Sequence, residues 1–216
     1  MKQEMSISSP DRSTAADRIR AVHQALDEED VGIVFQPIVD LSSRKTVAYE
    51  ALARSLSPEL PGTLDLFEAA VQVGRVAELG RLHRGQAIAL CKEWPLFLNV
   101  YPNEFDYGWL VRPDDPMFRH RRPVTLEVTE AVPLKYFEQC ESVLTELRKK
   151  GVTLAIDDLG AGYSNLKYIS DLSPDVVKID RDLIVGIRQG TRQFRLVESL
   201  IHLCHEMEAK VVVEGI

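Results

Sequence analysis

Apolar residues recur at helical spacing in some stretches of this chain and alternate with polar residues in others. Ile19 and Val22 begin a helical pattern soon after Thr14. Thr14 followed by Asp17 resembles a capping box with Asp in the acidic position. These residues predict a first helix that begins at Thr14 and ends near Asp30.

Seven later stretches have the composition of β-strands. They are residues 33–41, 46–54, 96–100, 124–130, 152–157, 175–180 and 210–214. The first two stretches are joined by the polar link Ser42-Ser43-Arg44-Lys45. This link predicts an antiparallel hairpin, because a parallel pair needs a crossover of about a dozen residues.

Helical patterns separate the later strands. They cover residues 64–94, 134–150, 165–172 and 191–208; glycines divide the first into two helices, and Gly151 ends the second. Residues 102–123 are rich in proline, aspartate and aromatic residues, and they predict a long surface loop. Strand and helix therefore alternate after the hairpin, which indicates a parallel sheet covered by helices and an α/β barrel.

The composition fits one globular domain over residues 14–216, after a flexible polar tail of residues 1–13. Of the 216 residues, 45% are apolar and 27% are charged, which is typical of soluble proteins with a sizeable core. No apolar run approaches the roughly 20 residues that span a bilayer, and the polar N-terminus does not resemble a secretory signal. Three widely spaced cysteines, Cys91, Cys140 and Cys204, favour reduced thiols in a cytoplasmic protein.

The net charge of −7 excludes some partners and permits others. The longest basic run is Arg119-His120-Arg121-Arg122, which is too small a footprint for duplex DNA or RNA. An acidic protein can still bind a small anion when metal ions offset the carboxylates near it. We therefore expect neither duplex nucleic acid nor a membrane as a partner.

Polar side chains stand near the ends of most predicted strands. The apolar run of residues 152–156 is followed at once by Asp157 and Asp158, two repelling charges that need a cation or a base beside them. On the other strands, alternation places a polar residue on the same face as the small or β-branched residues before it. These residues are Glu50, Arg54, Asn99, Glu127, Lys178 and Glu214. In an α/β barrel, catalytic groups project from the carboxyl ends of the strands in this way.

The residue types narrow the chemistry. Carboxylates and an amide offer oxygen ligands, which Mg²⁺ or Mn²⁺ prefer, and none of the five histidines lies at a strand end. Carboxylate-bound divalent cations most often serve phosphoryl chemistry, and Lys178 and Arg54 suit a phosphate oxygen or an attacking water. Each acid alone could instead cap a helix or form a salt bridge. A set of unrelated caps would not, however, place acids at the ends of successive strands. A two-carboxylate glycosidase would explain neither Lys178 nor the number of acids.

Seven motifs that carry these residues resemble those of a known family. In chain order they are Phe35-Gln36-Pro37-Ile38-Val39, Tyr49-Glu50-Ala51-Leu52-Ala53-Arg54, Asn99-Val100, Leu126-Glu127-Val128-Thr129-Glu130, Asp157-Asp158-Leu159-Gly160-Ala161-Gly162-Tyr163-Ser164, Val177-Lys178-Ile179-Asp180-Arg181 and Val213-Glu214-Gly215. Over about residues 31–216, the chain is similar to the EAL-domain family of cyclic di-GMP phosphodiesterases. The resemblance implies a modified TIM barrel with an antiparallel first strand, and a hydrolase that converts cyclic di-GMP to linear pGpG with the help of metal ions.

The resemblance also implies roles for individual residues. The main metal ligands would be Glu50, Asn99, Glu127 and Asp157. Asp158 would help to hold a second Mg²⁺ or Mn²⁺ ion and its bridging water, Lys178 would contact that water, and Glu214 would act as general base or further ligand. The substrate contacts would be Gln36, Leu52 and Arg54, and Glu130 would steady the loop after Asp158.

Two features depart from the family pattern. Leu159 and Ala161 stand where Phe and Thr are frequent, although the acids and glycines around them are kept. The sequence stops at Ile216, before the eighth βα unit, so the barrel is expected to have two open edges. We expect that the chain is shortened relative to the family. The other possibility is a form that completes its sheet by association, for example as a homodimer. The alternative function is a catalytically impaired cyclic di-GMP receptor or a protein-interaction module.

Overall fold

The computed structural model describes residues 14–129, 137–160 and 167–215. Its seven strands form one mixed sheet, a half-barrel in which each strand pairs with the next one in sequence. They are β1 (Val31–Asp40), β2 (Lys45–Ser55), β3 (Leu96–Asn99), β4 (Val124–Thr129), β5 (Thr153–Leu159), β6 (Val176–Ile179) and β7 (Lys210–Val213). β1 and β2 are antiparallel and all the later pairs are parallel, which confirms the predicted hairpin and the α/β fold class.

Helices connect the parallel strands. Those in the described ranges are α1 (Ala15–Asp27), α2 (Thr63–Gln72), α3 (Val76–Leu90), α4 (Phe137–Lys149), α5 (Lys167–Leu172), α6 (Arg181–Ile184) and α7 (Arg192–Glu206). α1 begins at the predicted cap, where the Thr14 hydroxyl accepts from the Asp17 N–H. Gly74 separates α2 from α3, and Gly151 follows α4; both glycines have positive φ angles, of 71° and 83°. The short helix α6 is an element that the sequence pattern does not predict.

The outer strands of the half-barrel, β1 and β7, each pair on one side only within the described residues. Val39 near the end of β1 is 44% exposed, and Leu41 just after it is 73% exposed. Among the residues that the structure describes, the sheet therefore has two open edges, as expected. None of the helices in the described part of the chain is long and apolar enough to cross a membrane.

The half-barrel has a small apolar layer on its inner face. This layer lies opposite the main core, which fills the space between the sheet and its helices. Its buried members are Ala48, Phe97, Ala155 and Val176. Each of these four residues stands two positions before a polar residue of the same strand, and side chains two positions apart share a face. The apolar layer therefore supports a polar layer at the carboxyl end of the sheet.

Residues 102–123 are not the surface loop that the sequence predicts. Three short 3₁₀-helices, Pro102–Tyr107, Trp109–Val111 and Pro116–Arg119, lie in this segment, and the first and third pack against α3. The cause is Arg84 of α3, a fully buried guanidinium that donates to Glu104 at 2.6 Å and to Asp115 at 2.9 Å. A buried charge requires such partners, so the two acids hold the segment against the helix.

His83, the residue before Arg84, is only 1% exposed. Burial and the neighbouring charge of Arg84 lower the pKa of the His83 imidazole from 6.5 to about 4, although the backbone of Ala51 favours the protonated ring. The imidazole is therefore neutral at pH 7. Helix α3 thus buries two adjacent side chains that can carry charge, and only one of them is charged.

The substitution Gly80→Ala should destabilise the protein, although alanine is the better helix former. An added Cβ would lie 2.2 Å from Glu104 Oε2, and the pairing with Arg84 holds that carboxylate in place. Urea denaturation should show a loss of about 2 kcal/mol in the free energy of unfolding. Gly85→Ala on the same helix is the control, because its Cβ would meet Pro116 Cγ at an ordinary 3.5 Å. Equal effects of the two substitutions would contradict the role given to Glu104.

Protonation of His83 in the unfolded chain should cost the protein stability between pH 7 and pH 5, while the raised pKa values of Asp158 and Glu127 act in the opposite direction. In this interval the unfolded imidazole, with a pKa of 6.5, becomes protonated, while the folded imidazole, with a pKa of about 4, stays neutral. The contribution of His83 to this loss should reach about 2 kcal/mol at pH 5. Urea denaturation of the wild type and of His83→Leu at both pH values gives the four free energies of unfolding that isolate the contribution of His83. If the two proteins show parallel pH dependence, the assignment of a neutral His83 is wrong.

Candidate metal centre and ligand cavity

Polar side chains from six successive strands meet at one end of the half-barrel. They are Glu50 of β2, Asn99 of β3, Glu127 of β4, Asp157 of β5, Lys178 of β6 and Glu214 directly after β7. The strands are in a register that pairs Asn99 with Glu127, and Lys178 with Val212, two residues before Glu214. The structure therefore places these residues together on the inner face that the alternation predicts.

The ammonium group of Lys178 lies at the centre of this cluster. Its Nζ is 2.8 Å from Glu127 Oε1, 2.9 Å from Glu214 Oε1, and 3.1 Å from both Glu50 Oε2 and Asp157 Oδ1. Lys178 is 1% exposed, so four carboxylates share one buried cation. An ammonium group has three N–H donors and cannot donate to all four carboxylates at once.

The charges of the cluster do not balance. Burial alone would lower the pKa of Lys178, but the carboxylates of Glu127, Asp157 and Glu50 raise that pKa overall. Burial also raises the pKa of Glu127 well above its ordinary value; the charges of Glu50 and Asp157 act in the same direction, and Lys178 opposes them. The cluster therefore carries an excess of negative charge that further cations would relieve.

The carboxylate oxygens fit a site for divalent cations. Glu127 Oε1 is buried and lies 2.8 Å from the Lys178 ammonium, the cation that it shares with the other carboxylates. Two groups of three carboxylates each bring their oxygens within 4.8 Å of one another. The first group is Glu50, Glu127 and Asp157, and the second is Asp157, Asp158 and Glu214. Oxygen is the ligand type that Mg²⁺ and Mn²⁺ prefer.

Asn99 orients two carboxylates of the first group. Its Nδ2 donates to Glu50 Oε1 and to Glu127 Oε2, at 3.1 Å in both cases. Rotation of this amide by a half-turn would present its oxygen to the same space in place of its N–H groups. Asn99 can therefore either fix the carboxylates or add a neutral oxygen ligand beside them.

The two aspartates of β5 occupy a β-bulge. Between the paired residues Ile156 and Leu159, two residues of β5 face a single residue of β6. Asp158 accordingly has a φ angle of +60°, which is uncommon outside glycine, and its N–H donates to Asp157 Oδ1 at 2.9 Å. The predicted strand ends at Asp157. The strand instead continues to Leu159, because the bulge accommodates the extra residue.

Asp158 is more difficult to ionise than an ordinary aspartate. Burial raises the pKa of Asp158 to about 6, and the negative charges of Asp157 and Glu214 add to this effect. The turn that follows requires glycine, since Gly160 has a φ angle of +104° and an added Cβ would lie 2.1 Å from Leu183 Cδ1. The next loop residues, 161–164, and the predicted loop-stabilising Glu130 lie outside the described residues.

A cavity of about 550 Å³ opens at this end of the half-barrel. Its lining contains most of the sequence-predicted site residues: Gln36, Glu50, Leu52, Arg54, Asn99, Asp157, Asp158 and Glu214. Glu127 and Lys178 do not line it and are almost fully buried. Arg54 is exposed, donates to the Ala53 carbonyl at 2.8 Å and forms no ion pair with a carboxylate in the described ranges.

Several cavity-lining residues do not stand out in the sequence. Arg181, which lines the cavity, directly follows Asp180 just after β6. This position is compatible with a site residue, but it suits the start of a helix equally well. Phe67, His83 and Tyr101 also line the cavity. Their sequence positions look like ordinary core positions, so periodicity alone does not separate them from the core.

Comparisons with known proteins agree with this architecture. A sequence model of the EAL domain matches residues 19–216. The "Probable cyclic di-GMP phosphodiesterase PdeI" of Escherichia coli is 28% identical over 221 residues, which cover 91% of this chain and 27% of that protein. The "Cyclic di-GMP phosphodiesterase NbdA" of Pseudomonas aeruginosa is 28% identical over 217 residues, which cover 90% of this chain and 27% of that protein. The chain thus spans about a quarter of the length of these curated relatives.

Solved structures share the fold. The manganese and cyclic di-GMP complex of BlrP1 from Klebsiella pneumoniae has a TM-score of 0.72 and 30% sequence identity to this chain. The match covers 86% of this chain and 49% of that one. A calcium and cyclic di-GMP complex of BlrP1 gives a TM-score of 0.71, with the same identity and coverage. Because the family match extends over most of the sequence, this chain belongs to the EAL domain family.

Proposed function

We propose that this EAL domain hydrolyses one phosphodiester bond of cyclic di-GMP and releases linear pGpG. The observation that carries the proposal is the cluster of buried carboxylates around Lys178, beside a cavity of about 550 Å³, a volume typical of small-molecule sites. The names of PdeI and NbdA, and the cyclic di-GMP complexes of BlrP1, support this choice of substrate.

We assign Glu50, Asn99, Glu127 and Asp157 to one Mg²⁺ or Mn²⁺ ion, and Asp158 together with the shared Asp157 to a second. The two oxygen groups and the excess of carboxylates over cations around Lys178 support this assignment. When bound, such ions would neutralise phosphate charge and lower the pKa of a water molecule.

Lys178 and Glu214 are assigned to the attacking water. Bound cations would take over some of the carboxylates around Lys178 and so release one of its N–H donors, which would then orient the water. Among the four carboxylates around Lys178, Glu214 has the most exposed side chain, at 29%, so it can exchange a proton with solvent. As the water oxygen bonds to phosphorus, Glu214 accepts the water proton. The bond from phosphorus to one ribose oxygen breaks, and that oxygen takes a proton from solvent as it leaves.

The substrate contacts are assigned to Gln36, Leu52 and Arg54. The Arg54 guanidinium is free of carboxylates in the described ranges and suits charge-assisted hydrogen bonds to a phosphate. Arg181 is exposed at the same cavity and forms no ion pair with any described acid, so we add it as a second phosphate contact. We assign Glu130 to steadying the loop after β5. We also propose that the domain assembles as a homodimer.

With Mn²⁺ present, the purified chain should convert cyclic di-GMP to pGpG, and Asp157→Asn should lower kcat/KM by about a hundredfold or more. The substitution keeps the size of the side chain but removes the carboxylate that both oxygen groups share. Chromatographic separation of the two nucleotides over time gives both rates.

Asp182→Asn is the matched control, because Asp182 is exposed on α6 and belongs to neither oxygen group. This variant should keep wild-type activity. Undiminished hydrolysis in the presence of a metal chelator would contradict the metal requirement. Binding of cyclic di-GMP in Ca²⁺ without any hydrolysis in Mn²⁺ would instead favour the receptor alternative.

A further inference from the structure

A group of arginines lies between α6 and α7, outside the lining of the cavity. Residues 188–195 contain three arginines and no acid, and the nearest acids along the chain are Asp182 and Glu198. The three residues are Arg188, Arg192 and Arg195, and we call them the arginine rim. All three are exposed, and none forms an ion pair with an acid in the ranges that the structure describes. They have no role in the reaction proposed above.

The topology places the rim at the end of the sheet where the cavity opens. α6 follows the carboxyl end of β6, and α7 leads back to the amino end of β7, so α7 begins at the carboxyl end of the sheet. Added Cβ atoms at Gly160 and Gly215 would lie 2.1 Å from Leu183 Cδ1 and 2.4 Å from Arg181 Cγ. Since Leu183 and Arg181 both belong to α6, this helix lies against the turn after β5 and the end of β7.

Hydrogen bonds hold the rim beside α6. Gln193, in the first turn of α7, donates from Nε2 to the Leu183 carbonyl at 2.8 Å. The Thr191 hydroxyl, which caps α7, donates to the Arg188 carbonyl at 2.7 Å. The backbone of the rim is therefore fixed next to α6, whose Arg181 lines the cavity. The rim thus stands beside the opening, on the side of β6 and β7.

The charge of the rest of the protein opposes the approach of an anion. The chain has a net charge of −7. Among the described residues that line the cavity, carboxylates outnumber arginines by four to two: Glu50, Asp157, Asp158 and Glu214 against Arg54 and Arg181. Cyclic di-GMP carries one negative charge on each of its two phosphodiester groups. Positive charge beside the opening can offset the repulsion that such a ligand meets at long range.

We infer that the arginine rim attracts cyclic di-GMP from solution and guides it to the cavity. The inference rests on the proposed function, because it takes cyclic di-GMP as the ligand. Charge of one sign beside a cleft raises the local concentration of an oppositely charged ligand and its association rate. The rim lies outside the cavity lining and is exposed, so it acts on the approach of the ligand and has little effect on the bound state.

The test measures the association and dissociation rates of a fluorescent cyclic di-GMP analogue in Ca²⁺ by stopped-flow mixing. The variant combines Arg188→Gln, Arg192→Gln and Arg195→Gln, because glutamine and arginine have similar helix propensities. At about 10 mM ionic strength, where charges act over roughly 30 Å, its association rate should be about fivefold lower than that of the wild type. Its dissociation rate should be unchanged. At about 1 M, where this range is roughly 3 Å, the two association rates should be equal.

The matched control combines Arg119→Gln, Arg121→Gln and Arg122→Gln. These three arginines are also exposed, and they precede β4, at the amino end of the sheet and away from the cavity. The control changes the net charge of the protein by the same amount and should slow association by less than about twofold. Equal slowing in the two variants would overturn the rim, because only net charge would then matter. A loss of affinity that lies in the dissociation rate would overturn it as well.

The rates also separate the rim from the proposed reaction. A wild type that binds cyclic di-GMP faster than the rim variant but does not hydrolyse it in Mn²⁺ supports the rim and refutes the reaction. A wild type that hydrolyses cyclic di-GMP, with a rim variant that associates equally fast at low ionic strength, supports the reaction and refutes the rim. A wild type that does not bind cyclic di-GMP refutes both.

Discussion

The site depends on one electrostatic constraint: four carboxylates lie close together in a buried place, and Lys178 is the cation that contacts all of them. This constraint fixes the register of the sheet. A shift of one residue in β6 would turn Lys178 to the opposite face and leave the carboxylates to repel one another. Since one ammonium cannot satisfy four carboxylates, the same cluster that holds the strands together also has capacity for further cations.

A second feature, the buried charge of Arg84, links the stability of the fold to the shape of the cavity. Arg84 holds Glu104 and Asp115, and through Glu104 it holds the backbone of Tyr101 at the cavity. His83 precedes it on the same helix and lines the same space. One helix, α3, thus positions the aromatic side of the cavity, while the strand ends position its acidic side. The two sides of the cavity differ in chemistry because the strand ends supply the carboxylates, whereas the helices and the segment after β3 supply the aromatic residues.

Sequence periodicity is sufficient to predict the strands, the hairpin and the polar inner face, because alternation in a strand directly determines the direction of each side chain. It could not predict the conformation of Asp158, since a bulge depends on the pairing of β5 with β6 and not on β5 alone. Nor could it predict the packing of residues 102–123, because the partners of Arg84 lie 20 and 31 residues further along the chain. Phe67, His83 and Tyr101 were missed for a similar reason. Their positions resemble core positions, and only the folded structure shows that they also line a cavity.

The carboxylates around Lys178 require more positive charge than one ammonium supplies, and divalent cations can supply it. The most direct test is urea denaturation of the wild type and of Lys178→Met, with and without Mn²⁺. Without metal, Lys178→Met should be less stable than the wild type by about 3 kcal/mol or more, because the buried carboxylates lose their cation. Saturating Mn²⁺ should stabilise both proteins and recover much of the loss in the variant. Equal stability of the two proteins without metal, together with no effect of Mn²⁺ on either, would contradict the account.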